Sequence, residues 1–529
     1  MSLQGVQCHG AMNLPLSLDM ATGRNSICAV QYGTAYGGHV GRAVGMILHS
    51  REHKARRIER QARTESVAEV MQVFCPEHFS TSLPKSDDRA VLSAWKMASF
   101  LGAVAAAIAM AAVAIGSEMH LAGPFLLVLS GLLCHLITTG PKGDFWNPSM
   151  VLSLMLVVTY GVLGWVYQLK AVSDNECTIS VEAFAVVSLA LVCFSAGDML
   201  GRTVIRCNGS SGSFKGARRL RLWLPLSGLL SVLVFALQAR LAAGGLMAII
   251  PRLHDRIRLF QGLAYLSMLS NVLAIGAIVL SMSVDIPWSS RAVGYVLGAI
   301  PIMLRGGRDA PLQIMMTLVV YSYLLKNTVP KARHIAAMVC AAGLLYTSYA
   351  FVFRLLVPGV SPQGFSFWRY SRDSILFAAT GSLKELDSIL KTVPLVFPHI
   401  YGRSFAGLLT MWIPRGLWAD KPYGVGGMYS TVFYPVTYAQ GTGTPPSFVG
   451  ELFWNFSYVG VALGMLCLGV FMGILYRKQR RGGSRAAKAI YALTVAMLFP
   501  LIRNGSDTTV VFWLTGAVSI LLTYHAVQI

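Results

Sequence analysis

Charged residues are scarce in this sequence. Asp, Glu, Lys and Arg make up 13% of its 529 residues, whereas 54% of the residues are hydrophobic. Soluble domains carry about 25% charged residues, so the composition excludes a soluble globular protein. We predict an all-α polytopic membrane protein, because helices satisfy their own backbone hydrogen bonds inside a bilayer.

Several catalytic and ligand-binding motifs are also missing. The nine cysteines include no C-x-x-C pair and no Cys/His spacing suited to zinc, so neither a disulfide framework nor a metal site is predicted. The sequence contains no Walker loop, Rossmann fingerprint, G-x-S-x-G elbow or H-E-x-x-H motif. It gives no support for ATP use, hydride transfer or zinc proteolysis, and we expect no cofactor.

Acidic residues are few relative to basic ones. The 23 Asp and Glu against 44 Lys and Arg give a formal net charge of +21. In a membrane protein, such an excess reflects basic loops on the cytoplasmic side and contact with anionic headgroups. Nucleic-acid binding needs a soluble basic face, and the sequence shows none outside its N-terminal segment. We therefore expect membrane lipids, and not nucleic acid, as partners.

Long apolar runs follow a polar, basic N-terminal segment. Residues 1–92 are predicted to form a poorly ordered cytoplasmic tail. Residues 93–357 would hold transmembrane helices 1–9, residues 358–455 a large periplasmic loop, and residues 456–529 transmembrane helices 10–12. The twelve or so predicted spans are 95–115, 121–139, 149–169, 182–199, 222–239, 261–283, 292–304, 309–325, 334–357, 456–476, 487–502 and 509–526.

Basic clusters between the runs set the orientation. With the tail inside, the densest clusters, at 202–221, 326–333 and 477–488, all fall on the inner side, as the positive-inside rule requires. Both termini are then cytoplasmic, and residues 358–455 face outward.

Arginine residues on the predicted outer side are the exception to this rule. Topology gives no reason for them, and arginine dominates over lysine in the set. The guanidinium group offers a planar fork that matches phosphate and carboxylate oxygens, so an anionic ligand at the outer surface is predicted. The set comprises Arg240, Arg252, Arg256, Arg258, Arg305, Arg308, Arg354, Arg369, Arg372, Arg403, Arg415 and Arg503.

The segment from Tyr401 to Tyr476 is the strongest candidate for a reaction site. The run from Ser404 to Ile413 is about half the length of a bilayer crossing, which favours a short interfacial or re-entrant helix. Charged and aromatic residues follow it, and Glu451 comes just before an apolar helix. A carboxylate at that position would be partly desolvated, so Glu451 is our candidate general base.

Each of these candidates also has a structural interpretation. Arg305 and Arg308 could snorkel to the membrane surface with Asp309 as a local partner. The charges of the loop 252–258 could belong to an amphipathic interfacial helix rather than to a diphosphate clamp. Glu451 could form a salt bridge with a nearby arginine.

Four motifs carry a family resemblance. They are a Gly-Gly-Leu loop with trailing arginines at 244–258, Arg305-Gly-Gly-Arg308 opening a membrane helix, the run from Tyr401-Gly-Arg-Ser to Asp420-Lys-Pro422, and Ser447-Phe-Val-Gly-Glu451 through Asn455-Phe456 with a Gly-rich helix after it. Together they resemble the Wzy-type oligosaccharide repeat-unit polymerases, or O-antigen polymerases. The likeness covers the architecture from about residue 95 onward and is most specific at 401–476.

The resemblance implies a bacterial inner-membrane glycosyltransferase of the GT-C kind that needs neither a nucleotide-sugar donor nor a metal. It would move a growing glycan from one undecaprenyl diphosphate to a second lipid-linked repeat on the periplasmic side. The product would be O-antigen of lipopolysaccharide or a similar surface polysaccharide. The implied partners are undecaprenyl-diphosphate-linked oligosaccharides and, as a candidate, a chain-length regulator protein.

Residue roles follow from that chemistry. Glu451 would act as the base, with Arg415 and Arg308 as further catalytic residues, because the developing charge on the leaving diphosphate needs fixed cations. The candidates for substrate binding are Arg252, Arg256, Arg258, Arg305, Arg354, Arg403, Lys421, Tyr401, Trp418, Asn455 and Arg503.

Three other functions fit parts of the sequence. An O-antigen ligase would share the outward arginines and the large loop but would use a different acceptor. A lipid-linked oligosaccharide flippase should place its charges in a central cavity between two repeat-like halves, whereas these charges lie on one face. A scaffold subunit of an assembly complex would leave the Arg and Glu residues dispersed.

Overall fold

The computed structural model describes most of the chain after residue 121. Several predicted features lie outside the described residues, namely the tail 1–92, the apolar run 95–115, Arg256, Arg258, Arg308, Arg415 and the side chain of Arg354. The described residues are 122–139, 145–173, 178–204, 216–249, 252, 259–260, 262–305, 309–328, 330–355, 366–413, 417–418, 420–439, 444–481 and 483–528.

Helices make up the regular structure of these residues, which contain no β-strand. A π-helical turn, Val157–Val162, joins the second helix to the third. In chain order the helices are α1 (Ala122–Thr139), α2 (Pro148–Leu156), α3 (Leu163–Ser173), α4 (Val181–Val204), α5 (Ala217–Ala243), α6 (Leu246–Ile249), α7 (Ala264–Ser281), α8 (Trp288–Leu304), α9 (Asp309–Lys326), α10 (Ala332–Leu355), α11 (Phe367–Thr392), α12 (Arg403–Leu409), α13 (Val425–Phe433), α14 (Pro435–Ala439), α15 (Phe448–Arg480), α16 (Arg485–Asn504) and α17 (Ser506–Gln528).

Every predicted apolar run within the described region falls on a helix. The run 149–169, for example, covers α2, the π-helical turn and most of α3. Seven of the helices are long and apolar enough to cross a membrane, counting α2 and α3 as one: α2–α3, α4, α5, α7, α15, α16 and α17. The all-helical polytopic membrane fold is therefore confirmed for the described residues, whereas the count of about twelve spans stays a prediction.

The predicted outer loop contains helices of its own. α11 is 26 residues long, and the predicted short helix Ser404–Ile413 is present as α12, which ends four residues earlier, at Leu409. Large apolar side chains around α12 are exposed, with Leu395 at 86%, Leu409 at 78% and Leu417 at 82%. Such a surface suits the boundary between headgroups and acyl chains. The periplasmic placement and the segment boundaries stay predictions.

Glycine residues allow α4 and α15 to pack at backbone contact. A Cβ atom at Gly197 would lie 2.1 Å from the carbonyl oxygen of Leu466, and one at Gly469 would lie 2.1 Å from that of Phe194. Gly201 and Gly473 repeat this contact four residues further on. A Cβ atom at these positions would lie 2.2 and 2.3 Å, respectively, from a carbonyl oxygen of the facing helix. Small residues at this spacing let membrane helices approach closely. Because the contacts advance together along both helices, the pair is parallel and its C-terminal ends lie side by side.

α15 is broken near its start. Phe456 and Ser457 depart from helical geometry, with φ/ψ of −142/26° and 57/−153°. Leu452 lies against Gly460 and Gly464, since a Cβ atom at either glycine would come within 2.4 Å of it. In a straight helix these positions would be about 12 and 18 Å away along the axis. Residues 448–455 therefore fold back on the rest of α15 as a short, separate helical segment.

Candidate functional site

Glu451 lies at the centre of a buried polar cluster. Its side chain is 0% exposed. Oε1 accepts hydrogen bonds from the hydroxyls of Ser404 and Ser506, and Oε2 accepts one from the backbone N–H of Ser506, all at 2.8 Å. A carboxylate removed from water needs such donors. No arginine forms a salt bridge with Glu451 among the described residues.

Asn455, one helical turn after Glu451, holds the turn at 401–403. Its Nδ2 donates to the Ser404 hydroxyl at 2.9 Å and to the Glu451 carbonyl at 2.7 Å, and its Oδ1 accepts from the Gly402 N–H at 2.7 Å. Tyr401 has a positive φ of 43°, which is strained for a bulky residue. The Tyr401 side chain is 74% exposed. The buried amide therefore fixes a turn whose side chains a ligand can reach.

The link between α16 and α17 forms another side of the cluster. Gly505, with φ of 78°, allows the sharp turn between the helices and is followed by Ser506. Arg503 Nη1 lies 3.1 Å from Asp309 Oδ1, and Asn504 Nδ2 donates to Asp309 Oδ2 at 3.2 Å. Asp309 thus pairs across the fold with Arg503, and among the described residues it forms no salt bridge with Arg305.

A second buried carboxyl group lies on α11. Glu385 is 7% exposed and accepts hydrogen bonds from the Tyr429 hydroxyl and, at 3.0 Å, from the Tyr434 hydroxyl. Burial raises the pKa of Glu385, although the two tyrosine hydrogen bonds and Lys384 act against it. The sequence motifs do not predict this group. The sequence position of Glu385 could have indicated its burial. It lies four residues before the buried Ile389 and therefore on the same face of α11.

Arg305 keeps unused hydrogen-bond donors. Its Nη1 donates to Asn271 Oδ1 at 2.6 Å, and its guanidinium carbon lies 5.6 Å from the centre of the Phe235 ring. Nε and Nη2 are buried and have no partner among the described residues. Unpaired buried donors are costly, so these two atoms are suited to binding an anion.

The other described candidates lie at the surface or serve the local structure. Arg252 and Arg403 are exposed, and Trp418 is 42% exposed. Lys421 Nζ donates to the backbone carbonyls of Met411 at 3.1 Å and Ile413 at 2.7 Å. Lys421 therefore ties down the segment that follows α12.

An apolar cavity of about 410 Å³ lies between α2, α9, α10 and α16. Its lining is mostly aliphatic and aromatic, with Asp309 and Arg503 at one end and Trp146 at the other. Residues 309 and 320 of α9 both line it, which gives a length of about 16 Å at 1.5 Å per residue. The cavity is thus elongated and apolar, with the ion pair between Asp309 and Arg503 in its lining.

Ser404 and Ser506 are site residues that the sequence motifs do not single out. Ser404 closes the Tyr-Gly-Arg-Ser motif, and Ser506 follows a glycine at the start of a helix, where serine is a favoured cap. Their contacts with Glu451 span 47 and 55 sequence positions. Local patterns cannot predict contacts of that kind.

These features define the class of protein. It is a polytopic helical membrane protein in which a buried carboxylate cluster joins the ends of membrane helices to an irregular segment rich in exposed aromatic and basic side chains.

Comparison with known proteins shows what part of the chain is similar to. Residues 420–529 match the model of the family described as O-antigen polysaccharide polymerase Wzy. The chain is 24% identical over 182 residues to the O-antigen polymerases of Salmonella typhimurium (strain LT2) and Salmonella typhi. That alignment covers 34% of this chain and spans 40% of the length of these curated relatives. No solved structure matches the chain. The resemblance to the Wzy-type polymerases is confirmed.

Proposed function

We propose that this chain is a glycosyltransferase that polymerises undecaprenyl-diphosphate-linked oligosaccharide repeats into O-antigen or a similar polysaccharide. One observation carries the proposal. The range 420–529, which matches the polymerase family, also supplies Glu451, Asn455 and Ser506 of the buried cluster. The cluster lies at the ends of α15, α16 and α17 that face away from the basic residues 477–488. By the positive-inside rule this supports a reaction at the periplasmic face of the bacterial inner membrane.

The lipid-linked substrate has a suitable place beside Arg503. The elongated apolar cavity suits part of the polyprenyl chain, and Arg503 in its lining suits the diphosphate. Since Arg503 already pairs with Asp309, the diphosphate would compete with that carboxylate. The two unpaired donors of Arg305 could hold a second phosphate, and Arg308 and Arg415 are proposed to stabilise the leaving group.

Glu451 is proposed as the general base for the acceptor hydroxyl. In the arrangement described here the carboxylate is fully covered, with Ser404 donating to Oε1 at 2.8 Å. We propose that the acceptor displaces α12 and that its hydroxyl takes the place of Ser404 as a donor to Oε1. A base must lie within hydrogen-bond reach of the proton that it removes, and this exchange would supply that contact.

Deletion of the gene in its own host separates the candidate functions. A polymerase deletion leaves single repeats on the lipid core, which a gel of the glycan shows as one band above the core. A ligase deletion leaves polymer on undecaprenyl diphosphate with none on the core, and a flippase deletion traps lipid-linked repeats on the inner leaflet. Single repeats, restored to long chains by the intact gene, are the expected result. Polymer accumulating on the carrier lipid would contradict the proposal.

A further inference from the structure

A cationic cavity lies at the C-terminal ends of α4 and α15, at the opposite end of these helices from Glu451. Its volume is about 470 Å³. Among the described residues, four arginines and no acidic residue line it, because the parallel packing of α4 and α15 brings both basic helix ends together. The lining residues are Arg202, Thr203, Tyr476, Arg477, Arg480 and Arg481.

Arg202 forms a fixed wall of this cavity. Its Nε donates to Asp198 Oδ1 at 2.9 Å, and its Nη2 contacts both Asp198 and Asn147. The guanidinium carbon lies 4.8 Å from the centre of the Tyr476 ring. Asp198 is 0% exposed and offsets the charge of Arg202, so the orientation of this guanidinium is set before any ligand arrives.

Arg477 supplies the observation that points to a ligand. Its Nε is buried and has no hydrogen-bond partner among the residues that the structure describes. No carboxylate of the described chain lies within salt-bridge distance of Arg477 or Arg481. A buried donor without a partner costs free energy, and an anion in the cavity would remove that cost.

Two simpler causes explain basic residues here but not this arrangement. The positive-inside rule places charge on the cytoplasmic side, and the C-terminal end of a helix favours cations. These two causes are enough to explain Lys478, whose side chain is exposed. Neither cause requires four arginines around one cavity or a buried, unpaired Nε on Arg477.

We propose that this cavity binds the phosphate groups of an anionic phospholipid from the cytoplasmic leaflet. Guanidinium forks match phosphate oxygens, and basic pockets between membrane helices on this side suit lipid headgroups. The volume of about 470 Å³ is roughly fifteen times the ~30 Å³ of a water molecule. The cavity is open at the protein surface, so a headgroup with two phosphodiesters can enter it. The site is independent of the proposed polymerisation site.

Binding to the delipidated full-length protein tests the proposal. The probes are diphosphatidylglycerol, the neutral lipid phosphatidylcholine and inorganic diphosphate, measured by native mass spectrometry at constant ionic strength. The double variant Arg477→Gln/Arg481→Gln should bind diphosphatidylglycerol about 100-fold more weakly, at about tenfold or 1.4 kcal/mol per guanidinium. The matched control Arg218→Gln/Arg219→Gln removes the same charge from exposed positions at the start of α5, on the same predicted side. It should weaken binding much less than the first double variant does, because salt screens solvent-exposed charges that do not contact the lipid.

A second variant tests whether lipid binding depends on the planar guanidinium group of Arg477 or only on its positive charge. Arg477→Lys keeps the charge and removes Nε, so it should bind the lipid about tenfold more weakly while melting at the wild-type temperature. Equal lipid affinity in the wild type and the double variant would overturn the proposal, as would an equal loss in the two double variants. If inorganic diphosphate binds more tightly than the lipid, and only when Arg477 and Arg481 are present, the phosphate site stands and its ligand is soluble.

Discussion

Separate substitutions of Glu451 and Ser404 distinguish two roles of the Glu451 carboxylate. It could act as the general base, or it could only stabilise the neighbouring turn at 401–403. Glu451→Gln keeps the size of the side chain but removes the charge and one hydrogen-bond acceptor. Loss of a general base slows proton transfer by about 10²–10⁴-fold. Ser404→Ala removes one donor at 2.8 Å from Oε1, which is worth about 1.5–3 kcal/mol of stability for a charged acceptor but leaves the base in place. We expect Ser404→Ala to polymerise within about tenfold of the wild type.

The assay is glycan chain length in a polymerase-null strain, with the amount of protein in the membrane measured alongside. Melting temperature in detergent reports the structural cost of each variant. If Glu451 acts only by holding the turn at 401–403 through Ser404, the two variants will lose polymerisation equally. That equality, or long chains made by Glu451→Gln, would refute the base assignment.

Three further predictions concern other parts of the chain. Arg308→Ala and Arg415→Ala should each leave single repeats on the lipid core with normal amounts of protein in the membrane; long chains from both would contradict their catalytic role. Gly469→Leu should destabilise the protein by about 1–3 kcal/mol or more, because its Cβ would lie 2.1 Å from a facing carbonyl oxygen. The control Gly343→Leu faces open space and should melt like the wild type. Glu385 has a raised pKa, so its neutral form stabilises the folded protein. This stabilisation is fully present below the ordinary pKa of 4.5 and is lost as the pH rises through the raised pKa. Glu385→Gln should remove this decline in melting temperature, and an unchanged pH profile would show that another group causes it.

The helices of this fold could be predicted well from the sequence. An apolar run must form a helix to satisfy its backbone in a bilayer, and each run in the described region is helical. The predicted start of the span at 456 coincides with the break at Phe456 and Ser457, because the residues before it are more polar. The folding back of residues 448–455 could not be predicted, since it depends on the contact of Leu452 with Gly460.

The candidate site could be predicted only in part. Glu451 was identifiable because a carboxylate is rare beside an apolar helix, and Asn455 through the family resemblance. The structure places both in one cluster. Which arginines lie near that cluster depends on contacts between distant helices. Arg305 contacts Asn271 and Phe235, whereas Arg503 extends from the same link as Ser506. The catalytic and binding roles of these residues stay predictions.

Reaction of the purified protein with lipid-linked repeats tests the central claim most directly. Wild-type protein in a membrane mimic, supplied only with undecaprenyl-diphosphate-linked repeats, should produce a ladder of longer lipid-linked glycans. Free undecaprenyl diphosphate should be released in equal number to the bonds formed, without ATP or a nucleotide sugar. Repeats that stay unjoined under these conditions, or that join only when a nucleotide sugar is added, would contradict the account.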